Sequence, residues 1–262
     1  MRLVDTHCHL TFDPLAGELP AVIARSRAAG VTAWVTVGTS LEDSRKAIEL
    51  AGQYENLYAA VGIHPHNAKA ADSRALEELR GLARQEKVVA IGETGLDFHY
   101  NFSQQPDQKR VFEAHLEIAR EIGLPAVIHS REAFDETMEI LDRCGGGLKG
   151  IVFHCFSGSA EQAHMVLDRG YFVSFTGVVT FKNAEVTRQA AQAVPLDRLM
   201  IETDCPYMSP EPVRSRRPNE PALMLHTAQF LAQLKGIGVD ALAAATTQTA
   251  TDFFGLSEPE MP

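Results

Sequence analysis

One theme recurs along the chain: a short apolar run, a polar or glycine punctuation, then a stretch with apolar side chains at helical spacing. The apolar runs fall at residues 3–5, 31–37, 57–63, 88–91, 125–128, 150–153, 171–175 and 199–201. Helical patterns fill the intervals. One covers 18–29 and stops at Gly30; another covers 41–54 behind Ser40 as N-cap. A third covers 75–85, capped by Asp72 or Ser73, with Leu76, Leu79 and Leu82 on one face. Pro106 suits a first helical turn, and Val111, Phe112, His115, Ile118, Ala119 and Ile122 then share a face up to Gly123 and Pro125. Further helices are expected at 131–143, 159–169, 184–194, 220–234 and 239–254. Eight strand–helix units in 262 residues predict an α/β chain folded as a (β/α)8 TIM barrel; a doubly wound open sheet is the alternative. No linker or low-complexity segment divides the chain, so residues 1–262 read as one domain with a frayed tail at 257–262.

A barrel of this kind carries its chemistry at the C-terminal ends of its strands. Those ends are occupied by His7 and His9, Gly38, His64, Glu93, His129, His154, Thr176 and Asp204. Six of the ten histidines gather there (His7, His9, His64, His66, His129 and His154), which chance scatter would not produce. On a strand His7 and His9 point to one face and Cys8 to the other, giving paired nitrogen donors for a metal. Asp5 shares that face, where it either holds a ring N–H or touches the metal. Glu93 ends an apolar run between glycines, costly for a carboxylate unless it is paired or coordinated. Alternation puts Glu202 and Asp204 side by side.

Each residue also has a plain structural reading. A His-x-His pair occurs in packed cores, His129 and His154 could cap a strand end as hydrogen-bonded polar groups, and His64 and His66 flank Pro65 as turn residues would. Together, four histidines and two carboxylates at strand ends suit a two-metal site better. Imidazoles favour Zn, Fe or Co, while shared carboxylates admit Mg or Mn.

Composition narrows the partners. Apolar residues make up 45% and charged residues 22%, as in ordinary globular proteins. The net charge of −10 argues against a broad electrostatic grip on nucleic acid, yet bound divalent cations would offset an acidic site, so a nuclease stays open. No apolar run is long enough to span a membrane, and Asp5 interrupts any leader-like start, so a cytoplasmic protein without membrane contact is expected. The four cysteines (Cys8, Cys144, Cys155 and Cys205) form no CxxC; three neighbour a candidate ligand and read as small apolar groups facing away from it.

Several motifs then fall together: His7-x-His9, Gly62-Ile63-His64-Pro65, Gly92-Glu93-Thr94-Gly95-Leu96-Asp97, Ile128-His129-Ser130-Arg131, Phe153-His154-Cys155-Phe156-Ser157-Gly158, Ser174-Phe175-Thr176-Gly177, Glu202-Thr203-Asp204-Cys205-Pro206 and Asn219-Glu220-Pro221. In order and spacing the chain resembles, over nearly its whole length, the TatD family of metal-dependent deoxyribonucleases, which are amidohydrolase-type barrels. The resemblance implies one metal held by His7, His9, Glu93 and Asp204, and a second held by Glu93, His129 and His154, so that Glu93 bridges. Before Asn-Glu-Pro the family usually carries a segment like Arg-Gly-Lys-Arg. Here Arg214-Ser215-Arg216-Arg217-Pro218 stays basic but departs at the serine and the proline.

The expected activity is phosphodiester hydrolysis by a metal-activated water, with Asp204 orienting or deprotonating the water and Glu202 helping to position it or the substrate. His64, Arg131 and the backbone N–H groups around Ser157 and Thr176 are expected to meet phosphate. Arg214, Arg216 and Arg217 form the dense basic cluster, with a solvated loop as the plain alternative. One narrow basic loop on an acidic body suits an exonuclease on single-stranded DNA ends, or on RNA, and the resemblance points to removal from the 3′ end. A D-aminoacyl-tRNA deacylase or small-molecule amidohydrolase would use the same metals on a carbonyl. A non-catalytic, metal-dependent nucleic-acid binder is a third reading. Oligomeric state is not readable.

Overall fold

The computed structural model describes residues 1–257, so the expected fraying beyond Ser257 lies outside the described residues. The strands are β1 (Leu3–Cys8), β2 (Val31–Val37), β3 (Leu57–Val61), β4 (Val88–Asp97), β5 (Ala126–Arg131), β6 (Ile151–Phe153), β7 (Phe172–Phe175) and β8 (Leu199–Ile201). Between and after them lie α1 (Leu19–Ala28), α2 (Leu41–Ala51), α3 (Ser73–Leu82), α4 (Gln105–Ile122), α5 (Phe134–Cys144), α6 (Ala160–Leu167), α7 (Glu185–Ala193), α8 (Met224–Lys235) and α9 (Val239–Phe254). The eight parallel strands form one sheet in chain order, and the fold is the (β/α)8 barrel. Among the described residues no helix is long and apolar enough to cross a membrane.

Three strands run further than the apolar pattern indicates. β1 continues through His7 to Cys8, and β4 continues past Ile91 to Asp97. Gly92 and Gly95 look like punctuation, yet both lie inside β4 with φ of +151° and +133°. Gly95 pairs with His129 across to β5, where a Cβ would overlap the His129 carbonyl oxygen. Only glycine permits that backbone and that approach, so its presence marks a close pairing, not a strand end. β5 likewise reaches Arg131, which delays α5 to Phe134. A 3-10 turn at Pro221–Leu223 precedes α8. The caps are local: Ser40 accepts from the Asp43 N–H, Asp72 from Ala75, and Ser159 forms a capping box with Gln162.

The chain divides into two compact units, Met1–Thr36 with the chain from His154 onward, and Val37–Phe153. In the first, β1 pairs with β2 in register Leu3↔Val31, and β7 pairs with β8 in register Val173↔Leu199. The end of β1 is tied to the segment after β8: Asp204 N–H donates to the His7 carbonyl at 2.9 Å, and His9 N–H to the Cys205 carbonyl at 2.8 Å. In the second unit β3, β4, β5 and β6 pair in sequence. Ile63, Ala68, Ala71 and Val111 form a small core beneath the turn after β3, burying apolar surface where His64 and His66 emerge.

Candidate metal centre

In the first unit three groups converge from distant parts of the chain. His7 Nε2 and His9 Nε2 lie 3.3 Å apart, and Asp204 Oδ1 lies 3.7 Å and 3.3 Å from them. All three residues are buried. Two ligands about 2.1 Å from one ion at a tetrahedral angle are about 3.4 Å apart, so this donor set fits a divalent cation without rearrangement. Burial alone would raise the Asp204 carboxyl, but the rings of His9, His7 and His154 hold it below the usual carboxylate range, so it is an anion at neutral pH.

His154 stacks on His7 at 4.0 Å between ring centroids, and its Nδ1 lies 3.4 Å from Glu202 Oε1. His7, His154 and Glu202 form a second candidate metal group sharing His7 with the first. Glu202 also accepts the Cys155 N–H at 2.6 Å and faces the Thr6 hydroxyl at 3.4 Å. Glu202 and Asp204 thus both lie within reach of His7, although β8 ends at Ile201 and Asp204 takes a left-handed φ of +52°.

Asp5 neither holds a histidine ring nor joins a metal group among the described residues. Its carboxylate accepts from Thr203 N–H at 2.9 Å, Thr203 Oγ1 at 2.6 Å and His7 N–H at 3.4 Å. It clamps β1 to the segment carrying Asp204. Burial pushes its carboxyl up to about 7, against those hydrogen bonds and with the Glu202 charge adding to the rise. Cys8 and Cys205 are buried free thiols beside this clamp, and neither belongs to a candidate metal group.

The second unit holds its own cluster of His64, Glu93 and His129. Glu93 Oε1 lies 2.8 Å from His129 Nδ1 and 3.4 Å from His64 Nε2. His64, expected as a phosphate contact, is thus grouped with metal-capable donors. Burial pushes its imidazole down to about 4 in spite of Glu93, which keeps it neutral with a lone pair to offer. Behind His129, Asp97 Oδ2 lies 3.2 Å from Nε2 and 2.9 Å from His66 Nε2. A carboxylate on Nε2 fixes the tautomer that leaves Nδ1 as the donor facing Glu93. Burial would raise the Asp97 carboxyl, but hydrogen bonds from His129, the Tyr100 N–H and His66 outweigh it and hold it well below the usual range. Asp97 stands in the quoted Gly-Leu-Asp motif without an assigned role; the signal was a carboxylate two residues past an in-strand glycine.

His115 is a second unassigned group, read from sequence only as part of a helix face. It is fully buried on α4, accepts the Ile63 N–H at Nε2 (2.9 Å) and lies 2.7 Å from the Val111 carbonyl at Nδ1. It therefore anchors the residue preceding His64. Burial pushes its pKa from 6.5 down to about 4. Such a ring is neutral when folded and takes up a proton on unfolding in acid, so its stabilisation is intact above pH 6.5 and lost as pH falls toward 4. The full loss is about 3 kcal/mol. Urea titrations at about pH 7 and about pH 4.5 should show that loss in the wild type and a smaller one in His115→Gln; equal losses would disprove the role.

The other candidate contacts are more scattered. Arg131 is exposed and lies 4.7 Å over the Tyr100 ring. Ser157 is exposed, whereas Thr176 is buried and turns its hydroxyl to Val178 N–H, Cys155 Sγ and Met208 Sδ. Arg214 stacks on Phe181 at 3.8 Å, Arg216 pairs with Glu220 at 2.7 Å, and Arg217 is exposed. Glu220 also binds Arg25 at 2.6 Å, and Asn219 Nδ2 donates to the Thr203 and Tyr207 carbonyls. The Asn219-Glu220-Pro221 motif thus braces the basic loop and the Asp204 segment from behind.

Buried histidine and carboxylate clusters on a (β/α)8 barrel define a metal-dependent hydrolase, an enzyme acting on ester bonds. The sequence profile of the TatD related DNase family matches residues 4–255, and the chain belongs to that family. It is 39% identical over 255 residues to the metal-dependent hydrolase YabD of Bacillus subtilis, covering 97% of this chain and 100% of that one. It is 36% identical over 256 residues to the 3'-5' ssDNA/RNA exonuclease TatD of Salmonella typhimurium, covering 96% of this chain and 98% of that one. Among solved structures, the TatD homologue YjjV of Escherichia coli superposes with a TM-score of 0.90 at 32% identity, covering 98% of this chain and 99% of that one.

Proposed function

We propose that the protein is an exonuclease that removes nucleotides from the 3′ ends of single-stranded DNA, with RNA as a second substrate, using two divalent cations. The observation that carries the reading is the pair of donor clusters, His7–His9–Asp204 and His64–Glu93–His129, on a chain related to named 3'-5' exonucleases. His7, His9 and Asp204, with His154 stacked on His7, would hold one cation, and Glu93 and His129 another. The cations, when bound, polarise a phosphoryl oxygen and make a water acidic enough to attack. Asp204, ionised and at the edge of its cluster, orients that water and accepts its proton. Glu202 steadies the Cys155 backbone and the His154 ring. His64 and Arg131 of the second unit are phosphate contacts on this reading, as are Ser157, Thr176, Arg214 and Arg217 of the first. Arg216, paired with Glu220, contributes less charge to a ligand.

A time course on 3′- and 5′-end-labelled single-stranded DNA tests this. The enzyme is chelated and Mg, Mn or Zn is then restored. Stepwise shortening from the 3′ end that requires metal supports the reading and identifies the working cation. A metal-loaded enzyme that leaves DNA and RNA intact but hydrolyses a mischarged tRNA or a simple ester would replace it with carbonyl chemistry.

A further inference from the structure

The turn that follows β4 carries two exposed aromatic rings that the metal clusters do not use. Tyr100 is 49% and Phe102 58% exposed, and their rings lie parallel within 5° at 5.3 Å between centroids. Two adjacent rings held parallel and about half exposed form a flat apolar surface of the kind that stacks a planar ligand.

The turn beneath them is held by several buried hydrogen bonds. Asp97 Oδ1 accepts the N–H groups of His99 and Tyr100, each at 3.0 Å. Gln108, buried on α4, accepts the Asp97 N–H at 2.8 Å and donates to the Asp97 and Ser103 carbonyls. Ser103 Oγ donates to the His66 carbonyl at 2.8 Å, and Asn101, at a left-handed φ of +48°, caps the Phe98 carbonyl. The rings thus stand on a fixed base, and little side-chain freedom remains to be lost on binding.

Their position is as informative as their rigidity. His66 meets both rings edge-on, at 4.8 Å from Phe102 and 5.6 Å from Tyr100. Its Nε2 shares Asp97 Oδ2 with His129, a member of the candidate metal cluster. Arg131 spreads its guanidinium over Tyr100. A flat π surface, a cation beside it and a metal cluster behind it together match one nucleotide: a base to stack, a phosphate to neutralise, a phosphodiester to cut.

We infer that Tyr100 and Phe102 form a stacking subsite for a nucleobase of the single strand, with Arg131 at the adjoining phosphate. The inference rests on the nuclease reading above and specifies how the substrate is held. Every base offers a π face, so the subsite grips without reading sequence. Bases in a duplex are already stacked and paired, so it also favours single strands over duplex.

The test uses metal-loaded enzyme and 5′-labelled oligonucleotides whose last 3′ nucleotides are either normal or abasic. Wild type is compared with Phe102→Ala, Phe102→Leu, Phe102→Trp and Tyr100→Ala. Loss of one stacked base should raise KM for the normal strand about 10-fold in the alanine and leucine variants, with kcat little changed. Trp should restore KM where Leu does not, because leucine supplies apolar area without a π face. The preference for normal over abasic ends should collapse in step. Unchanged KM and preference in Phe102→Ala, or rescue by Leu equal to that by Trp, would overturn the subsite while leaving the nuclease intact. A shift in sedimentation of Phe102→Ala with no change in KM would assign the rings to contact between copies and equally overturn it. Failure of wild type to cut any strand under any metal would remove the nuclease reading and the subsite with it.

Discussion

Glu93→Ala is expected to leave a folded protein that no longer retains divalent metal and has lost about a thousandfold or more of its hydrolytic rate. Glu93 Oε1 is the point on which His64 and His129 converge, and on the proposed reading the same carboxylate serves the second cation. Removing it takes away the negative charge that balances a dication beside neutral imidazoles. Glu93→Gln keeps the volume and loses the charge, so it should fail nearly as completely, which separates electrostatics from packing. Metal content by mass spectrometry and turnover on labelled DNA are the two readouts. Metal and activity retained together in Glu93→Ala would rule out Glu93 as a metal ligand.

Asp204→Asn should have the next largest effect, a drop in kcat of about a hundredfold to a thousandfold. Asparagine is the right probe because Asp204 sits at φ +52°, and asparagine tolerates the left-handed region better than alanine does. The backbone link from Asp204 N–H to the His7 carbonyl is untouched by the change. What is lost is an anion held low by His9, His7 and His154, and with it the group proposed to take the proton from the attacking water. Equal kcat in wild type and variant would move that task to another group, Glu202 being the next candidate.

Much of the fold was legible because its signals are one-dimensional. β2, β8 and α9 begin and end where apolar periodicity and punctuation place them. β4 was cut short because a glycine reads as a break, and only pairing with β5 shows that Gly95 is there to let His129 come close. The candidate donors His7, His9, Glu93, His129, His154 and Asp204 were found because strand ends in a barrel meet. Their immediate supports were legible only in part, Asp5 being marked for the site but for a ring or a metal and not for Thr203. Asp5, Asp97 and His115 act through partners 198, 32 and 52 residues away, and no local pattern announces a hydrogen bond across such distances. His64 was expected to meet phosphate; its grouping with Glu93 and His129 needs three strands to be laid next to one another. Glu202 and Asp204 both lie beyond the end of β8, yet each joins a group that contains His7.

The clamp between Asp5 and Thr203 also sets a clock for synthesis. His7 and His9 leave the ribosome long before the carboxylates that complete their clusters, which lie at positions 202 and 204. At about 5–20 residues per second the wait is roughly 10–40 s. During that interval the His-Cys-His stretch has neither its clamp nor its acidic partner, while the His64–Glu93–His129 cluster is complete in sequence as soon as residue 129 has emerged. Closing the first cluster means closing a loop of about 195 residues, a step made slow by its span more than by its energy. The His64–Glu93–His129 cluster can therefore assemble well ahead of the first, which waits for Asp204 to emerge.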